Sequence, residues 1–132
     1  MDIEQLKEEY EKDITWEFKD LATYMATIPL KIAKYQNYWF GLKNTHDRLE
    51  KEYNDKWIIR YMYYKQDFDI TLKDTEIRLF LEKDTELNEI KLKLKKIINI
   101  IEWLEKCMKN LDSIRWDCKL TLETQKFLNG IV

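Results

Sequence analysis

Apolar residues fall into two long tracts along the chain. In the first, Phe18, Leu21, Met25, Ile28, Ile32, Tyr35, Trp39, Leu42, His46, Leu49 and Tyr53 step alternately by three and four. In the second, Leu87, Ile90, Leu94, Ile97, Ile101, Leu104, Met108 and Leu111 do the same. Such steps keep a narrow apolar seam facing a partner helix, which is the coiled-coil pattern. Other apolar residues widen each stripe: Tyr24, Leu30, Tyr38 and Phe40 in the first tract, Ile98, Ile100 and Trp103 in the second. Stripes this wide imply helices that touch more than one neighbour, as in a bundle or an oligomer. The second tract changes phase after Leu111: Arg115 falls on the seam, while Ile114, Cys118 and Leu122 carry the stripe onward. A change of this kind hands a helix to a different partner.

The pattern predicts an all-α fold, a single helical domain over residues 1–132. Two long heptad-patterned helices, in a helical hairpin or bundle, cover 17–64 and 87–128, the second serving assembly. A short amphipathic helix over 1–14 carries Ile3, Leu6 and Tyr10 on one face, with Asp2 as its N-cap. Pro29 lies inside the first long helix. The seam continues in register across it, which favours a kink; the alternative is a break near Ala26–Ile28, with Pro29 opening a second helix. Residues 66–86 form a short irregular, acidic connector. Ile77, Leu79 and Leu81 alternate there as in a short strand, and a short helix capped by Thr71 or Asp74 fits equally well. Asn129-Gly130 reads as the stop after Leu128.

Composition narrows the class. The chain has 132 residues, only two Gly and one Pro, and 36% charged residues, which favours long helices over a sheet with many turns. No apolar run is long enough to span a membrane, and the acidic start does not resemble a signal peptide. Cys107 and Cys118 would lie about 16 Å apart on one helix, too far for a disulfide. They are expected as reduced packing residues in a cytoplasmic protein. The net charge is −2, but it is unevenly spread: residues 1–20 carry eight acids and three bases, 21–65 four and eight, 66–90 eight and three, and 91–132 five and nine. A near-neutral total therefore leaves room for a local basic face.

No catalytic chemistry is expected. His46, the single histidine, sits on the seam without a nucleophile or carboxylate motif. With Gly41 and Gly130 the only glycines, there is no phosphate loop. Cys, His and carboxylate spacings match no zinc or EF-hand site. No enzyme activity, metal or cofactor is predicted. The densest candidate chemistry lies at residues 53–65, where Tyr53, Trp57, Tyr61, Tyr63 and Tyr64 mingle with Lys56, Arg60 and Lys65. On a helix, Lys56, Arg60, Tyr63 and Tyr64 share one stripe. Cations attract phosphates and aromatic faces stack on unpaired bases, as a single-strand nucleic-acid site requires. The competing reading is that the aromatics are core and the cations rim it.

Several short motifs carry a family resemblance over nearly the whole length. They are Leu6, Glu8, Glu9, Lys12 and Asp13; Leu21 with Lys34-Tyr35; Arg60 with Tyr63-Tyr64; Glu76-Ile77-Arg78 with Leu81 and Asp84; and Leu111-Asp112-Ser113-Ile114-Arg115. In order and spacing the chain resembles the UvsY-like phage recombination mediator family. The resemblance implies a non-enzymatic, single-stranded-DNA-binding recombination mediator. Such a protein helps load a RecA-like recombinase onto DNA covered by single-strand-binding protein, in the cytoplasm of an infected bacterial host. It also implies a homo-oligomer, a ring of roughly six or seven helical subunits. Together with the patch, it points to Lys34, Lys56, Arg60, Tyr63, Tyr64 and Lys65 as DNA-binding residues. The family's basic residue two before the arginine is Ile58 here. Pro29 and a shorter loop after the Tyr-Tyr pair are further departures. The alternative function is a coiled-coil scaffold or adaptor that binds only protein.

Overall fold

The computed structural model describes residues 2–17 and 20–130. Four α-helices follow in order: α1 (Ile3–Asp13), α2 (Leu21–Met62), α3 (Asp74–Glu82) and α4 (Thr85–Leu128), with a π-helical turn at Tyr63–Asp67 closing α2. The described residues contain no strand. The seam assignment of Phe18 lies outside them.

The strand option for the connector is overturned. Ile77 and Leu81 are buried while Leu79 between them is exposed, so burial recurs every four residues, as on a helix face. Neither Thr71 nor Asp74 caps it. Lys73 holds the N-cap position, and its N–H donates to the Glu76 carboxylate at 3.3 Å. A break near Pro29 is likewise overturned, because α2 runs through it uninterrupted. Pro29 is exposed, and its missing N–H costs about 3 kcal/mol. Burial of Leu21, Tyr24 and Ile28 on the opposite face, about 1.5–3 kcal/mol for each large side chain, outweighs that cost.

Two compact units divide the chain: Met1–Phe40 with Ile100–Val132, and Gly41–Asn99. In the first, Leu6, Leu21, Tyr24, Ile28, Tyr35, Ile101, Leu104, Cys107, Leu111 and Cys118 form the core. α1 covers part of the widened stripe. Its Tyr10 meets Tyr35 and Trp103 edge-on, with centroids 5.9 and 5.7 Å apart, and its Glu9 accepts from the Tyr38 hydroxyl at 3.1 Å. α1 is fixed by Asp13. The backbone carbonyl of Asp13 accepts from the Tyr24 hydroxyl at 2.6 Å, and its carboxylate accepts from Tyr35 at 2.7 Å. Burial pushes the Tyr24 phenol up to about 12 and raises that of Tyr35 as well, with the Asp13 bond adding to the second.

In the second unit, Ile77, Leu81 and Leu87 form the core, with Tyr53, Trp57, Tyr61, Tyr64 and Leu72 packed against them. Asp84 starts α4: its carboxylate accepts from Leu87 N at 2.9 Å and its carbonyl from Asn88 N at 3.0 Å. At the far end, Gly130 takes a φ of 74°, a left-handed conformation suited to glycine after a helix.

Candidate nucleic-acid interface

The residues singled out at 53–65 lie on the last turns of α2 and in the π turn. Their apolar faces fold inward. Trp57 stacks on Tyr61 at 5.2 Å and 11°, and Tyr64 stacks on Phe80 at 5.3 Å and 17°. Phe68 closes the group edge-on to Tyr64 at 5.4 Å. Tyr64 is thus part of the packing over α3. Tyr63 remains 48% exposed, edge-on to Tyr64 at 5.2 Å and to Phe68 at 6.1 Å. Of the two tyrosines, only Tyr63 presents a substantial free face.

The cations of this stretch are all matched by acids from the chain. Arg60 donates to the Asp84 carboxylate at 2.6 Å and also reaches Glu86. Lys56 pairs with Glu52 at 3.0 Å and with Glu86. Lys65 lies 3.6 Å from Asp74, and Tyr61 donates to the same carboxylate at 2.7 Å. Hydrogen bonds from Lys56 and Arg60 hold the Glu86 carboxyl below the ordinary range, and the bond from Tyr61 does the same for Asp74. The bonds to Glu86 and Glu52 raise Lys56 in turn. Lys34 belongs to the other unit. It is bound to Asp13 at 2.5 Å and to Glu9 at 2.8 Å. Burial opposes its charge, yet those bonds outweigh burial and raise its pKa. The structure therefore gathers Lys56, Arg60, Tyr63, Tyr64 and Lys65 at one end of α2, leaves Lys34 elsewhere, and gives every one of these cations a carboxylate partner. The acidic block 66–90 was visible in the sequence. Its pairing with 56–65 was not, because the contacts span roughly 10 to 30 residues.

Beside this cluster runs a groove of about 500 Å³ lined by Tyr53 and Trp57 of α2, Arg78, Leu81 and Glu82 of α3, and Asn88 and Lys91 of α4. It shares Asn88 and Lys91 with a second, more apolar groove of about 490 Å³ along α4, where Leu92, Leu94, Lys95 and Ile98 lie. Sequence reasoning passed over Arg78 and Lys91 as groove residues, since only the fold brings α3 and α4 beside Trp57. Among the described residues, no group of His, Cys, Asp or Glu is placed to hold a metal ion. No helix among them is long and apolar enough to cross a membrane.

These features describe an all-helical protein with an aromatic, charge-paired end. Residues 9–131 match the family model for UvsY, described as a recombination, repair and ssDNA binding protein. The chain belongs to the UvsY family. Crystal structures of the bacteriophage T4 recombination mediator protein UvsY share its fold. Lattice type IV superposes with a TM-score of 0.87 at 20% identity, covering 96% of this chain and 98% of that one. Lattice type II gives 0.87 at 20% identity, covering 98% and 99%. Lattice type I gives 0.83 at 19% identity, covering 93% and 98%. No curated protein matches the chain.

Proposed function

We propose that this chain is a single-stranded-DNA-binding recombination mediator that helps load a RecA-like recombinase onto DNA covered by single-strand-binding protein. The observation that carries this reading is the family match over residues 9–131, whose description includes recombination and ssDNA binding. In the proposed mechanism the chain performs no catalysis. A ring of roughly six or seven subunits, in the cytoplasm of an infected host, presents many weak strand contacts, and multivalency makes them effective. Bending or wrapping the strand lowers the grip of the covering protein, and differential binding free energy shifts the exchange toward the recombinase.

The proposed strand contacts include Lys56, Arg60, Tyr63, Tyr64 and Lys65, with Lys34 as an outlying cation. Because these cations are carboxylate-bound, a phosphate must replace a carboxylate at Arg60 or Lys56. Tyr63 supports the reading most simply, with an exposed ring ready for a base. The ion pairing also favours a second reading, a helical scaffold or adaptor whose charges serve only its own fold and protein partners. Titration of a labelled oligonucleotide over a range of salt separates the two. A mediator binds single strands with a clear negative dependence of log affinity on log salt. An adaptor shows no binding at low salt.

A further inference from the structure

From the groove beside the Arg60 cluster, and resting on the single-strand reading above, we infer that single-stranded DNA is held chiefly by Arg78 and Lys91 along the groove wall to which Tyr53 and Trp57 contribute. Three observations converge there. First, the groove brings cations from two helices to one opening: Arg78 from α3 and Lys91 from α4. Second, among the described residues neither cation is in an ion pair, whereas Lys56, Arg60 and Lys65 all are. Asp74 feels the Arg78 charge but is already bound by Tyr61 and Lys65. A phosphate arriving at Arg78 or Lys91 therefore displaces water and counterions, with no carboxylate to dislodge. Third, Tyr53 and Trp57 line the same groove, so a base can lie against an aromatic wall while its phosphate meets a cation.

The path continues. The neighbouring groove shares Lys91 and adds Lys95 beside Leu92 and Ile98, giving the next phosphate a cation and the next sugar or base an apolar surface. Glu82 is the one acid on the wall, and its charge opposes a bound strand. Asn88 donates to the Glu82 backbone carbonyl at 2.9 Å, which fixes the wall at that point.

The test is fluorescence anisotropy of labelled oligothymidine against the full chain, wild type and variants, over a range of salt. Arg78→Ala and Lys91→Ala should each weaken binding roughly tenfold, as for a lost bond to a charged group. Each should flatten the salt slope by about 0.7 per subunit engaged. Glu82→Gln should tighten binding. All three side chains are exposed, so melting temperatures should stay at the wild-type value. Wild-type affinity and slope in Arg78→Ala and Lys91→Ala, while the wild-type protein binds normally, would overturn this assignment and leave the mediator reading intact. Failure of the wild-type protein to bind oligothymidine at low salt would overturn both. Competition by polyglutamate as strong as by unlabelled oligothymidine would overturn the assignment in favour of an acidic peptide.

Discussion

The Arg60–Asp84 pair is the contact on which the structural role of the 53–65 segment can be measured. Asp84 has two tasks: it caps α4 through Leu87 N and it receives Arg60. The side chains are 26% and 17% exposed, so the pair lies between two known limits. Exposed pairs are worth up to about 1 kcal/mol, and breaking a buried pair costs about 3–5 kcal/mol. An intermediate figure of about 1.5 kcal/mol follows for losing Arg60. Loss of an Asp cap adds about 1 kcal/mol. Arg60→Ala should therefore cost about 1.5 kcal/mol and Asp84→Ala about 2.5 kcal/mol. Asn caps as well as Asp, so Asp84→Asn should lose only the charge and resemble Arg60→Ala. For a chain of this size 1 kcal/mol corresponds to about 4 °C in Tm. The expected drops are thus about 6 °C for Arg60→Ala and Asp84→Asn, and about 10 °C for Asp84→Ala.

Thermal and urea unfolding followed by circular dichroism, all at one protein concentration because assembly shifts Tm by mass action, give these numbers. The double variant Arg60→Ala/Asp84→Ala should show a coupling of about 1.5 kcal/mol. Wild-type Tm in both Arg60→Ala and Asp84→Asn, with zero coupling, would refute the reasoning and return Arg60 to the surface as a free cation.

Two further outcomes test the first unit. Burial and the Asp13 bond raise the Tyr35 phenol above its ordinary value of 10.0, so its contribution is full below about 10 and lost as pH rises past it, where the unfolded chain ionises first. Tm should therefore fall from pH 9 to 11, less steeply in Tyr35→Phe; equal slopes would contradict this. Burial pushes the Cys107 thiol up to about 12 and raises Cys118 as well, so both should resist alkylation at pH 8 until urea unfolds the chain. Rapid modification of the native protein would show that the sites open.

The seam was legible because periodicity alone selects a buried face. Leu21, Ile28 and Tyr35, and Leu87, Ile90, Ile101, Leu104 and Leu111, are all buried as the steps of three and four require. The expected phase change after Leu111 is not what burial shows: Cys118 is fully buried seven residues on, in step with Leu104 and Leu111, so the seam keeps its register that far. What covers the widened stripe was not legible. Tyr38 and Trp103 looked uncovered in sequence, and α1 turns out to cover both by a hydrogen bond and a ring contact. The alternation of Ile77, Leu79 and Leu81 suggested a strand because three apolar positions two apart fit either period. Only burial decides which two face inward. At 53–65 Tyr64 is half-buried against the Ile77, Leu81 and Leu87 core, while charge counting marked a basic patch where the fold makes a neutralised one.

That neutralisation changes what a salt titration should read. Were Lys56, Arg60 and Lys65 open, a bound strand would release one counterion equivalent for each phosphate met, and the slope would scale with all three. Asp84, Glu86, Glu52 and Asp74 already occupy them. A phosphate that displaces a carboxylate leaves that carboxylate to be solvated and to gather its own cations, so the net release per contact is small. Contacts at the unpaired Arg78 and Lys91 release counterions in full. Affinity contributed by the Arg60 cluster should thus be weakly salt-dependent, and affinity contributed by the groove strongly so. The acids of residues 66–90 hold the end of α2 onto α3 and α4, and in the proposed mechanism they also direct a strand away from the cations nearest in sequence toward Arg78 and Lys91.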